Sequence, residues 1–118
     1  MTHTHGHIDY LEFTSSDREE LARKKQFFSQ AFGWQWKDWG DAYADTHDSG
    51  TTSGIAIADE SGAPQCLVVM YSDSLEATKE QVCAAGGRIT REIFAFPGGR
   101  RFHFTDPTGT EMAVWSSS

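Results

Sequence analysis

The 118-residue chain has little cysteine, little proline and few basic side chains, and it has no long apolar run. Its two cysteines, Cys66 and Cys83, are too few for a disulfide-stapled scaffold, and they fall in a predicted strand and a predicted helix. Both are read as free thiols, which suits a reducing cytoplasm. No stretch approaches the roughly 18 apolar residues of a membrane span, and the segment from Met1 to His7 lacks the apolar core of a signal peptide. A soluble, cytoplasmic protein with no membrane partner is the expectation. Lys and Arg number 10 against 17 Asp and Glu, a formal net charge of −7. Phosphate binding needs a basic field, so nucleic acid is not expected as a partner. The one basic region, Arg88, Arg91, Arg100 and Arg101, meets either water or an anionic ligand.

What the chain does have is a globular composition, 38% hydrophobic and 23% charged, and an internal repeat. One half runs from His7 to Asp17 as an extended apolar stretch, then a helical stretch, then 31–39; the other runs 65–73, a shorter helical stretch, then 84–94. In each, the extended run ends at an acidic residue that can start a helix, and glycine ends that helix. Neither copy alone buries enough surface to be secure, so the two are halves of one domain over 1–118. Module one covers about 7–59, a linker 60–64, and module two about 65–116.

His7 to Thr14 alternates, which puts Ile8, Tyr10, Glu12 and Thr14 on one side and Leu11 and Phe13 on the other. Ser16 followed by Glu19 is a capping-box pattern for a helix over about 17–32 that Gly33 stops. Trp34, Trp36, Tyr43 and Ile55 to Ile57 read as strands separated by turns, with Asp48 to Gly50 the clearest turn. Cys66 to Tyr71 is the next strand, and Asp73 with Glu76 repeats the capping pattern. Gly86 and Gly87 end that helix. Strands follow near 88–94, 100–105 and 110–115, the last two joined by a turn at Asp106-Pro107-Thr108-Gly109. The fold class expected is α+β: two tandem β-α-β-β-β modules forming a curved mixed sheet around a cleft, with helices on the outer face.

This doubled unit, with FFSQAFGW (27–34) closing the first helix and FHFTDPTGTEMAVW (102–115) closing the chain, resembles the vicinal oxygen chelate superfamily of glyoxalases, bleomycin-resistance proteins and extradiol dioxygenases. It looks most like the small glyoxalase-like branch. The resemblance implies a homodimer and, in metal-dependent members, His and Glu ligands from strand positions facing the cavity. Counting seven residues back from Asp17 and from Asp73, and seven forward from Asp106, places those positions at Tyr10, Cys66 and Ala113. No cofactor is therefore expected.

By strand parity, Tyr10, Glu12, Cys66, Met70, Glu111 and Trp115 are expected to face the cleft, joined by Trp36 and His103. Burial in an apolar cup would raise the pKa of Glu12 or Glu111 and suit proton transfer; either could instead anchor a ligand amine or hydroxyl, or be structural. His103 is a candidate acid-base residue or a core histidine, and Cys66 a small buried hydrophobe for want of an activating neighbour. His3, His5 and His7 lie on what is expected to be a mobile arm, with adventitious metal binding or plain solvation. The leading expectation is a small-molecule-binding protein, its aromatic side chains supplying area and Glu12 the polar anchor. The alternative is a lyase, isomerase or dioxygenase with Glu12, His103 and Glu111 around a divalent metal. A third reading is a domain that only supports assembly.

Overall fold

The computed structural model describes residues 3–58 and 65–118, so the linker expected at 60–64 lies outside the described residues. The elements are β1 (Ile8–Ser15), α1 (Arg18–Phe32), β2 (Lys37–Asp38), β3 (Tyr43–Thr46), β4 (Thr52–Ile57), β5 (Cys66–Tyr71), α2 (Leu75–Ala84), β6 (Arg88–Phe96), β7 (Gly99–Thr105) and β8 (Glu111–Ser116). The fold is mixed α+β, and each half is a β-α-β-β-β module as the repeat implies. Trp34 and Trp36 fall just before β2 rather than in strands of their own. The chain groups into two compact units, a first of Tyr10–Leu67 and a second of Met1–Asp9 with Val68–Ser118.

In the first unit the strands lie in the order β2-β3-β4-β1. β1 and β4 are parallel, and the other pairs antiparallel. Asp17 caps α1, its carboxylate accepting the Glu20 N–H at 2.8 Å. The Glu20 carboxylate in turn accepts the Ser16 N–H and hydroxyl at 3.1 and 3.0 Å. The reciprocal cap expected of Ser16 and Glu19 is thus made by Glu20, because the residue at the N-cap is Asp17. Gly33 takes a left-handed conformation (φ 76°) and donates its N–H to the Ser29 carbonyl, which ends the helix. α1 covers one face of the sheet: Leu21 is buried, and the Phe28 ring lies 5.3 Å from that of Phe13. Trp34 stacks on Phe28 at 4.8 Å. The Lys25–Asp38 ion pair ties the helix to β2.

In the second unit the order is β5-β8-β7-β6, with β5 and β8 parallel and the rest antiparallel. α2 packs over a core of Leu75, Phe102, Phe104 and Val114, with Met70, Val82, Ile89, Ile93 and Met112 against it. The cap expected of Asp73 and Glu76 does not form. Ser74 is the N-cap, its N–H taken by the Ser72 hydroxyl at 3.0 Å, while Glu76 is drawn away by Arg100 at 2.6 and 3.2 Å. The turn between β7 and β8 is built on Asp106, whose carboxylate accepts the Thr108 and Thr110 N–H groups at 2.9 and 3.0 Å. These bonds, that from Thr110 foremost, hold the Asp106 carboxyl below its ordinary pKa. Among the described residues no helix is long and apolar enough to cross a membrane.

Candidate functional site

Each half-sheet has one face covered by its helix and one turned away from it. In the first unit, Leu11 and Phe13 turn toward α1, so Tyr10, Glu12 and Thr14 take the other face. Strand pairing extends that face: Glu12 sits beside Gly54, Gly54 beside Asp45, Ala56 beside Tyr43 and Tyr10 beside Thr52. Two tyrosines and two carboxylates therefore share one surface. The Tyr10 and Tyr43 hydroxyls hydrogen-bond to each other directly over Gly54, where a Cβ would collide with both. Glu12 is only 7% exposed. Burial foremost, then the neighbouring Tyr43, with the negative charge of Glu12 and Asp45 adding to both, pushes the Tyr10 hydroxyl far above the ordinary tyrosine range. Tyr10 is therefore a neutral hydrogen-bonding group, never a phenolate base. Tyr43 and Asp45 are not among the expected site residues; the alternation of Tyr43-Ala44-Asp45-Thr46 is the available signal, but the face it serves depends on register with β4.

In the second unit, Phe102 and Phe104 enter the α2 core, so Arg101, His103 and Thr105 take the opposite face, with Glu111, Ala113 and Trp115 beside them on β8. His103 is 6% exposed; its Nδ1 lies 4.0 Å from the Glu111 carboxylate, which accepts the Thr90 hydroxyl at 3.3 Å. Phe94 flanks the imidazole at 5.8 Å and carries the Arg91 guanidinium 3.8 Å above its ring. Trp115 donates its indole N–H to Asp9 at 2.9 Å. His103, Glu111 and Trp115 thus share a face, and Tyr10 and Glu12 share another.

Three expected site residues lie elsewhere. Met70 packs into the α2 core, on the opposite face from Trp115. Trp36 belongs to the aromatic cluster on α1, 6.1 Å from Phe28 and 6.2 Å from Trp34. Cys66 is exposed at the start of β5 with the strand parity of Met70, although local desolvation still raises its thiol pKa. For Cys66 and Met70 the reason is the shifted cap: counting back seven residues from the true N-cap Ser74 gives Leu67, not Cys66, as the counterpart of Tyr10. One residue of register exchanges the faces of the whole strand.

Taken one by one, the positions that correspond to the family's metal ligands offer little to a divalent metal. Tyr10 offers a neutral phenol, and Leu67 and Ala113 offer no donor atom. Among the described residues no three His, Cys, Asp or Glu side chains group closely enough to hold a metal ion.

Over residues 7–114 the chain matches the Glyoxalase/Bleomycin resistance protein/Dioxygenase superfamily, and it belongs to that family. It is 23% identical over 124 aligned residues to CFP32, a proposed glyoxylase of Mycobacterium bovis, covering 96% of this chain and 46% of that protein. The chain thus spans about half the length of the curated relatives it matches. Its fold is similar to methylmalonyl-CoA epimerase from Mycobacterium tuberculosis (TM-score 0.69, 13% identity, 100% of this chain and 92% of that one). It is also similar to a superfamily member from Vibrio splendidus (TM-score 0.64, 12% identity, 91% and 96%). At such identities the likeness concerns the fold alone.

Proposed function

We propose that the protein binds a small organic molecule through the face carrying Tyr10, Glu12, Tyr43 and Asp45, and does so without a catalytic metal. The observation that carries this reading is the hydroxyl pair seated over Gly54 beside the buried Glu12. A pair of neutral hydroxyls next to carboxylates recognises a protonated amine or a polyol by direct hydrogen bonds. The net charge of −7 favours cationic or neutral ligands over anionic ones. A hydrogen bond to a charged group contributes about 1.5–3 kcal/mol, so Glu12→Gln is expected to weaken an amine ligand by about tenfold or more. The test is a titration of amines, diols, neutral aromatics and carboxylates followed by amide NMR. Ligands that shift the amides of 10–14, 43–45 and 52–56 support the proposal. If no class shifts them while the fold is intact, the proposal is wrong.

A second reading is favoured by His103, buried within 4.0 Å of the Glu111 carboxylate: this pair would move a proton on a ligand bound to the second unit. The two free thiols suit a reducing, cytoplasmic setting. A homodimer belongs to the same proposal through the family, with exposed Phe27 and Phe32 as apolar surface for it, and sedimentation of the intact chain tests it.

A further inference from the structure

The N-terminal arm, expected to be mobile and free of any fixed carboxylate, is instead docked on the second unit. Gly6 donates its N–H to the Tyr71 carbonyl at 2.8 Å, and Tyr71 donates its own to the His7 carbonyl at 3.0 Å. His5 accepts the Asp73 N–H on Nδ1 at 3.0 Å. At the head of the arm, His3 Nδ1 lies 3.0 and 2.9 Å from the two Asp9 carboxylate oxygens. Its ring stacks on Tyr71 at 4.8 Å and meets the Trp115 ring edge-on at the same distance.

This arrangement fixes the imidazole chemically as well as sterically. An ionised carboxylate only accepts hydrogen bonds, so the nitrogen facing Asp9 must carry the proton. In neutral His3 the basic lone pair is then on Nε2. Asp9 is itself held by the Trp115 indole N–H, which can only donate. The His3 side chain is 29% exposed and that of Asp9 15%, so the dyad is partly desolvated while water still reaches the ring.

From this geometry we infer that His3 and Asp9 form a general-base dyad, built from residues other than those of the Tyr10 face and the His103–Glu111 pair, acting on activated carboxylic esters. Nε2 of His3 takes a proton from a water molecule as its oxygen bonds to the ester carbonyl carbon. The carbon–oxygen bond to the leaving group then breaks with its electron pair, and the imidazolium returns the proton to the released alkoxide or aryloxide. Asp9 stabilises the imidazolium formed in between and does not change its own protonation. Among the described residues, the groups facing His3 are the Asp9 carboxylate from β1 and the Tyr71 and Trp115 rings from β5 and β8.

The probe is p-nitrophenyl acetate, with release of p-nitrophenolate measured from pH 5 to 8. A positioned base contributes about 10²–10⁴-fold, so His3→Asn should lower the rate at least about tenfold and remove most of its pH dependence. Asparagine keeps an N–H donor for Asp9, and NMR of the Gly6 and Tyr71 amides establishes that the arm remains docked. Asp9→Asn should lower the rate as well, and slower turnover in D2O should accompany the wild type only. A His7→Asn variant, which leaves the backbone contact of residue 7 in place, should keep the wild-type rate. If His3→Asn with a docked arm hydrolyses the ester as fast as wild type, or if His7→Asn is the variant that loses activity, the inference is wrong.

Discussion

At position 54 any side chain would have to occupy the space in which the Tyr10 and Tyr43 hydroxyls meet. Gly54→Ala is therefore expected to split the pair and to destabilise the chain by about 1–3 kcal/mol, the usual cost of overpacking, measurable as a lower midpoint in urea. Tyr43→Phe, which removes only one hydroxyl of that pair, should cost about 1 kcal/mol and should soften the Gly54→Ala penalty in the double variant, since the two sites are in contact. The thiol of Cys66 gives a prediction of another kind. Because desolvation raises its pKa, it should alkylate with iodoacetamide more slowly at pH 7 than an unhindered cysteine despite its exposure, and accelerate as pH rises. At this scale the sequence was informative where a single strand's alternation decided the face, as for Tyr10 and Glu12. It was not informative for Tyr43 and Asp45, whose common surface with Glu12 exists only once β3, β4 and β1 are in register.

Caps and turns set the geometry of the elements, and here small shifts had large effects. Moving the α2 cap from Asp73 to Ser74 exchanged Cys66 for Leu67 and left Met70 in the core instead of beside Trp115. Sequence patterns could not distinguish the two caps, because Asp and Ser are both good N-cap residues; Ser74 takes the position without a side-chain capping bond, its own N–H held by the Ser72 hydroxyl. With no capping role, Glu76 joins α2 to β7 through Arg100, whose two hydrogen bonds hold its carboxyl down at about 2 from an ordinary 4.5. A carboxyl that ionises more readily when folded favours the native state above pH 4.5, and that contribution is lost as pH falls toward 2. The expected result is a Glu76 side-chain NMR titration midpoint near 2 that returns to the ordinary range in Arg100→Gln. Screening at this exposed position should make the shift shrink with added salt.

On the scale of the whole molecule, the repeat and the turn chemistry carried the fold. The doubled β-α-β-β-β order, the Gly33 stop and the Asp106 turn could all be read before any contact was known, because each depends on local chemistry. The docking of the N-terminal arm could not: His3 finds Asp9, Tyr71 and Trp115 only after β1, β5 and β8 are assembled. Core substitutions should be felt accordingly. Phe102 is fully buried among Leu75, Phe104 and Val114, so Phe102→Ala is expected to cost about 3–5 kcal/mol and could leave the second unit unfolded at physiological temperature, as hydrogen exchange of β7 and β8 would register.

The two units also differ in when synthesis can complete them. The first unit is continuous from Tyr10 to Leu67 and can close once residue 67 has left the ribosome. The second joins Met1–Asp9 to Val68–Ser118, so the arm gains its bonds to Tyr71 and Asp73 only once β5 has been made, and the Trp115 indole that holds Asp9 only once β8 has. The arm's last contact thus forms only after the whole of the first unit has been made, although the arm precedes that unit in the chain.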